Sequence, residues 1–259
     1  GAELGGSLLE SLSLFSLAGK RALITGSSRG IGRAIAMLYA EAGAHVIIHG
    51  SKPSAKLDEA LAEARALGAS AEAVSADISD ANAVKGLIKA VGDVDILVLN
   101  ASMQHYQTVP EFDPETFTQD VNANLRSCFL LLQGFLPGMQ QRRFGRIISV
   151  GSVNQWRPGA RLAIYASTKA AQFNLVLNCA RAYAADGITA NSISPGVIDT
   201  DRNAEALADP ATEARLRSLV PARRFGSAMD CAGAALLLAS PAGAYINGAD
   251  IAIDGGMKL

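Results

Sequence analysis

Tyr165 and Lys169 stand four residues apart in Tyr-Ala-Ser-Thr-Lys. On a helix, residues i and i+4 share one face, so the Lys169 ammonium can lie close to the Tyr165 phenol. A nearby positive charge favours phenolate and lowers a tyrosine from its free pKa of about 10. That shift is what a tyrosine needs to exchange protons near neutral pH. Alone, the pattern also marks ordinary pairs on a helix surface. Thirteen residues upstream, Ser152 follows the run GRIISV. Its hydroxyl can hydrogen-bond a substrate oxygen, although a serine at a strand end also serves as a turn or cap.

A second chemical feature lies near the start. The run RALIT is followed by Gly26-Ser27-Ser28-Arg29-Gly30-Ile31-Gly32 and then by a helical stretch. Glycines on a strand-to-helix turn permit a tight bend, let backbone N–H groups approach a pyrophosphate, and seat the helix close to the strand. The spacing is Gly-x3-Gly-x-Gly rather than GxGxxG. An NAD site places an acid about 20 residues beyond the glycines, on the adenine ribose. Here that place is held by His49-Gly50-Ser51-Lys52, with no Asp or Glu between Glu41 and Asp58. Arg29, Ser51 and Lys52 can bind a 2′-phosphate that a carboxylate would repel. The pattern argues for NADP(H) over NAD(H); the alternative is that Arg29 and Lys52 are solvated surface charges.

These groups must be positioned by strands and helices, and the chain alternates them. RALIT (21–25), HVIIH (45–49), EAVSAD (72–77), DILVLN (95–100), GRIISV (145–150), ITANSIS (188–194) and ADIAID (249–254) read as seven strands, with helical stretches such as Ile31 to Ala42 and Ala163 to Ala185 between them. Such alternation predicts βαβ units, hence a single-domain, doubly wound, Rossmann-like α/β fold with a parallel seven-stranded sheet flanked by helices. A length of 259 residues suits one domain. The composition is 49% hydrophobic but only 5% aromatic, so aliphatic side chains must fill a core of strands buried on both faces. Residues 1–14 read as a flexible N-terminal extension, and 15–259 as the catalytic domain. The polar excursion at 199–219, after Pro195-Gly196, is a candidate lid, because ligands bind beyond the carboxyl ends of such strands. An ordinary pair of surface helices is the alternative.

Composition also excludes classes. With 23 basic and 24 acidic residues, nothing draws the chain to nucleic acid or an anionic membrane. Cys128, Cys179 and Cys231 lie far apart, and His45, His49 and His105 have no ligand spacing. Buried thiols, no metal site and a reducing, cytoplasmic compartment are expected. No apolar run approaches the 18 to 20 residues of a membrane span.

Over residues 15–259 the sequence resembles the short-chain dehydrogenase/reductase family, through several motifs in the right order. These are TGSSRGIG (25–32), Asp77 in SADIS, LNAS (99–102), Asn124 in NANLRS, Ser152 in SVGSV, YASTK (165–169), SPGVIDT (194–200) and IDGGM (253–257). The resemblance implies a tetrad of Asn124, Ser152, Tyr165 and Lys169. Tyr165 would give a proton to a carbonyl oxygen, or take one from an alcohol. Lys169 would lower its pKa and hold the nicotinamide ribose, Ser152 would orient the substrate oxygen, and Asn124, rather than Asn122, would hold a relay water. Cofactor residues are expected at Gly26, Ser28, Arg29, Gly30, Ile31, Gly32, Ser51, Lys52, Asp77, Ile78, Asn100, Ala101, Ser102, Tyr165, Lys169, Pro195, Gly196, Ile198 and Thr200. The departure is LNAS, where the family shows NNAG: Leu99 replaces an asparagine and Ser102 a glycine.

Gln104, Asn154, Gln155 and Trp156, with Ser152, are the candidate substrate contacts. Amides and an indole suit a hydroxylated substrate such as a sugar, polyol or sugar acid, and Arg157 suits a carboxylate or phosphate. Equally, Gln155 to Pro158 can be a solvated loop with Trp156 at a subunit contact. The rival substrate is a 3-oxoacyl thioester on an acyl carrier, for which Arg142, Arg143 and Arg146 are the nearest docking cations; a helix-end role for Arg142 and Arg143 is favoured instead. A non-catalytic NADP(H)-sensing protein would be expected to lose tetrad members, and an enoyl reductase would put six residues between tyrosine and lysine. The family habit implies a homotetramer, or dimer, with Phe129, Phe173 and Leu177 as candidate contacts.

Overall fold

A computed structural model describes residues 11–259. Most of the extension expected over residues 1–14 lies outside the described residues. Where description begins, Ser11–Ser13 form a helical turn, and the Leu14 carbonyl already accepts a hydrogen bond from the Ala242 N–H, tying this point to the domain.

The seven strands are β1 (Arg21–Ile24), β2 (His45–Gly50), β3 (Ala71–Ser75), β4 (Ile96–Leu99), β5 (Gly145–Val150), β6 (Ile188–Pro195) and β7 (Asp250–Ile253). They form one sheet in the order β3-β2-β1-β4-β5-β6-β7, and every pairing is parallel. Each matches a predicted run to within one or two residues. The register explains why such short, aliphatic strands suffice. Successive side chains alternate faces, so Ile24, Ile48, Val98 and Ile148 join one core cluster while Leu23, Ile47, Leu97 and Ile147 join the other.

Helices α1 (Gly30–Glu41), α2 (Ala55–Ala66) and α9 (Ala228–Ala239) cover the first face; α3 (Ala81–Val91), α5 (Ser127–Arg142) and α6 (Ala163–Tyr183) cover the second. Between them lie α4 (Pro114–Val121) and the short α7 (Ala204–Ala208) and α8 (Pro210–Ser218). Cys128, Cys179 and Cys231 are buried free thiols, and among the described residues no helix is long and apolar enough to cross a membrane.

Chain order reverses between β1 and β4, whose carboxyl ends diverge into different loops. Doubly wound sheets open a crevice at such a point. Here it is a cleft of about 1060 Å³, running from the β1 and β2 exits to those of β5 and β6.

Candidate active site

The glycine turn forms one end of the cleft. At Gly26 the backbone is left-handed, φ +65°, and a Cβ there would meet the Ala101 Cα at 2.9 Å. A Cβ on Gly32 would sit 2.4 Å from the Gly26 carbonyl oxygen, so α1 could not pack this close to the turn with any side chain there. Neighbouring strands staple the loop. Asn100 Nδ2 donates to the Thr25 and Gly26 carbonyls at 2.9 and 3.1 Å, and Thr25 Oγ1 accepts the Asn100 and Ala101 N–H groups. Buried His49 Nδ1 accepts the Gly26 N–H at 2.9 Å, which leaves Nε2 to donate to the Ala76 carbonyl. The ribose-acid position is thus spent on holding the loop. Burial lowers the His49 pKa, in keeping with this neutral role.

Helix α1 starts at Gly30 with Arg29 as its N-cap, and no side chain caps it. Its free N–H groups and dipole face the cleft, as a pyrophosphate requires. Arg29, Ser51, Lys52 and Lys56 line the wall beyond. Asp77 lines it too; its Oδ1 accepts from the Ser79 N–H and hydroxyl at 2.9 and 2.7 Å, beside buried Ile78. Ser28, Gly30, Ile31, Asn100, Ala101, Ser102, Pro195, Gly196, Ile198 and Thr200 continue the lining. An uncapped helix start, a cradle that admits no Cβ, and cations without a ribose acid together fit a dinucleotide carrying a 2′-phosphate.

The tetrad candidates converge at the other end. Tyr165 and Lys169 occupy the first turns of α6 and are buried, 6% and 2% exposed. Ser152 follows β5, with its Oγ accepting the Asn154 N–H at 3.1 Å, and it lies close enough to Tyr165 to act on the phenol. Lys169 Nζ donates to the Val150 carbonyl at 2.8 Å and to Gln172 Oε1 at 3.3 Å, and lies 5.6 Å from the Tyr165 ring centre. Burial lowers its pKa to about 8. Asn124 sits in a π turn (Asn122–Arg126) ahead of α5. Its side chain accepts the Met103 N–H at 2.7 Å and donates to the Met103 carbonyl and Thr168 Oγ1, so it braces the loop after β4 against α6.

One expectation is corrected. The Tyr165 pKa is raised rather than lowered, because burial outweighs everything else. Chief among the groups that oppose burial is Arg202, followed by the Ser152 hydrogen bond, and Lys169 is not among them. The lysine's charge is held by Val150 and Gln172 instead of being aimed at the phenol. Arg202 escaped sequence reasoning. The only signal was a cation two residues after Thr200 in a segment already suspected of covering the cleft.

The substrate wall is partly as expected. Gln104, Asn154 and Arg157 line it, with Tyr106 and Arg161 in addition. Gln155 and Trp156 turn away: Trp156 Nε1 donates to Asp250 Oδ2 at 2.7 Å, Gln155 Nε2 reaches the same oxygen at 3.4 Å, and the indole meets Phe173 edge-on. Neither is among the lining residues. The excursion at 199–219 contributes to the lining of the cleft. Asp201, Arg202, Asn203, Ala206, Thr212 and Leu216 line it, and Lys56 Nζ holds Asp201 Oδ2 at 2.6 Å.

The arginines considered for carrier docking are engaged elsewhere. Arg142 pairs with Asp93 and donates to the Val94 carbonyl, Arg143 donates to the Ala185 carbonyl, and Arg146 is 7% exposed at the start of β5. All three lie at the amino ends of the strands, opposite the cleft.

This architecture is shared. A family model described as enoyl-(acyl carrier protein) reductase matches residues 26–258. The Vibrio harveyi 3-oxoacyl-[acyl-carrier-protein] reductase FabG is 37% identical over 94% of this chain and 99% of its own length. A 3-oxoacyl (acyl-carrier-protein) reductase from Agrobacterium tumefaciens C58, solved with NADP bound, superposes with a TM-score of 0.91 at 43% identity, covering 95% of this chain and 96% of that one. A gluconate 5-dehydrogenase from Burkholderia cenocepacia J2315, in complex with NADP and tartrate, superposes at 0.90 with 34% identity, over 95% and 98%. The chain belongs to the short-chain dehydrogenase/reductase family of oxidoreductases, which act on CH–OH and C=O groups.

Proposed function

We propose that this protein catalyses NADP(H)-dependent interconversion of a secondary alcohol and a carbonyl on a hydroxylated small molecule: a sugar, polyol or sugar acid. The carrying observation is buried Tyr165, with Ser152 and Lys169 beside it in the lining of a cleft that also holds an uncapped helix N-terminus among cations. The glycine turn and α1 start would hold the pyrophosphate, Arg29, Ser51 and Lys52 the 2′-phosphate, Asp77 and Ile78 the adenine side, and Asn100 to Ser102 with Pro195 to Thr200 the nicotinamide end. When bound, the nicotinamide supplies or accepts the hydride.

The chain's residues handle the proton. Tyr165 stays protonated at neutral pH because it is buried, so in reduction it donates to the carbonyl oxygen. Ser152 holds that oxygen and stabilises its developing charge. In oxidation Tyr165 must first lose its proton, which the Arg202 charge assists. Lys169 is placed to hold the ribose and keep positive potential behind the ring; Asn124 holds the Met103 loop in place. Segment 199–219 serves as the lid. The enzyme works in the cytoplasm as a homotetramer or dimer, with Phe129, 49% exposed on α5, at a contact.

The related gluconate 5-dehydrogenase crystallised with tartrate supports a polyhydroxylated acid. A second reading, reduction of 3-oxoacyl thioesters, is supported by the similarity to the two acyl-carrier-protein reductases and by apolar Leu162, Leu216, Leu219 and Met257 in the lining. The three residues between Tyr165 and Lys169 argue against enoyl reduction. A paired assay separates the readings: NADPH with a 3-oxoacyl thioester, against NADP⁺ with sugars, polyols and sugar acids. Turnover in the second arm alone supports the first reading; turnover in the first arm alone replaces it. Silence in both, with NADPH bound, would favour a sensor.

A further inference from the structure

Arg202 projects from the turn that opens the lid (Asp201–Asn203) and reaches across the cleft. Its Nη1 donates to Ser102 Oγ at 3.0 Å and its Nη2 to the Ser102 carbonyl at 3.1 Å. It is also near enough to Tyr165 for its charge to act on the phenol. The guanidinium is held by two neutral acceptors on the residue that departs from the family motif, facing the cleft near Tyr165.

The charges around it are one-sided. Arg157, Arg161 and Arg215 line the same cleft, and among the described residues none of the four arginines is within ion-pair distance of a carboxylate. Arg157 and Arg161 each spend one N–H on a carbonyl, of Met257 and Tyr106, which seats them in the wall. Among the described residues only two carboxylates line the cleft. Asp77 is at the adenine side, and Asp201 is bound by Lys56. Glu111 feels the Arg161 charge, but from outside the lining.

From this arrangement we infer that Arg202 is the specificity-determining residue of the enzyme, recognising a carboxylate that lies within a few atoms of the reacting carbon. The inference rests on the sugar-type reading above and narrows it to sugar acids. A planar guanidinium matches a carboxylate with two parallel N–H···O bonds, which neutral oxygens such as those of Ser102 cannot equal. Ser102 is then the resting partner that the substrate carboxylate displaces. A 3-oxoacyl thioester has no charge so near its carbonyl and would leave Arg202 without an anion.

The test compares a keto-sugar acid with the neutral ketose of the same chain length, reduced by NADPH, in wild type, Arg202→Met and Arg202→Lys. Wild type should prefer the acid. Arg202→Met should lose about 10- to 100-fold in kcat/KM on the acid, the range of a charge-assisted hydrogen bond. On the neutral ketose the loss, which carries any effect through Tyr165 or segment 199–219, should be clearly smaller, so the difference between the two substrates reads the carboxylate contact. Arg202→Lys, with charge but no fork, should recover part of the loss. NADPH binding, followed by its fluorescence, should be the same in all three. Turnover of sugars by wild type without preference for the acid, or equal losses on both substrates in Arg202→Met, would overturn the role of Arg202 and leave the sugar-type reading standing. Turnover of a 3-oxoacyl thioester with no sugar or sugar acid accepted would overturn both.

Discussion

At the scale of single residues, the two side chains proposed for the proton chemistry, Tyr165 and Lys169, are both charged with difficulty because they are buried. Tyr165→Phe removes the hydroxyl and keeps the ring. We expect kcat to fall by at least about 10²-fold, the lower bound for a positioned acid or base, while NADPH fluorescence titration stays unchanged. Retained turnover would exclude Tyr165 as the proton carrier. Its raised pKa also sets a direction: kcat/KM for alcohol oxidation should climb with pH well above neutrality. In Arg202→Met the rise should move to still higher pH, since Arg202 is the largest influence holding the pKa down. Lys169 gives a stability signature. Its pKa falls from 10.5 to about 8 in the folded chain, so between those values the unfolded state binds more protons and folding strengthens as pH rises. Urea unfolding of wild type and Lys169→Met should show the difference shifting in favour of wild type from pH 8 to 10.5, and no shift below 8.

At the scale of elements, the β1 turn and segment 199–219, the proposed lid, frame the candidate site. Gly32 packs α1 directly on the turn, and a Cβ would lie 2.4 Å from the Gly26 carbonyl. Gly32→Ala should therefore weaken NADPH binding by at least tenfold, as isothermal titration would read, because backbone rather than a flexible side chain must move. His49 fastens the same turn in its neutral form. Its folded pKa is lowered, so its contribution is whole above the unfolded value of about 6.5 and is lost as pH falls through it. Stability of His49→Gln, followed by thermal melts from pH 7.5 to 5, should decline less steeply than wild type. In the lid, the Lys56–Asp201 pair is solvent-exposed and so adds little to stability. We expect Asp201→Asn to leave the melting temperature within a few degrees and to act on KM instead.

Over the whole molecule, the sheet gathers the two halves of the proposed site in one cleft: the proposed phosphate site at the β1 and β2 exits, and the proposed proton-transfer site at the β5 exit. The parallel register makes this possible, since all seven carboxyl ends point the same way. It also sends Arg142, Arg143 and Arg146 to the far side. The exposed Phe129, with the half-covered Phe173 and Leu177, is where assembly should be felt. Phe129→Glu is expected to lower the mass read by light scattering, and an unchanged mass would remove that face from the interface.

The strands and covering helices were legible in the sequence because aliphatic alternation and helical periodicity are local properties that burial reinforces. Tyr165, Lys169, Ser152 and the glycine turn were legible because their chemistry depends on spacing within one helix or one turn. What the sequence could not contain was direction and distance between remote segments. Gln155 and Trp156 sit beside Ser152 in the chain, yet Asp250, nearly a hundred residues on, draws both away from the cleft. His49 stands at the ribose position, yet the Gly26 N–H claims its ring. Arg202 gives no pattern of its own, and only the tertiary fold brings it to Ser102 in the loop after β4, a hundred residues earlier. Local periodicity chose the elements; long-range hydrogen bonds and burial decided which side chains meet and how tightly Tyr165 holds its proton.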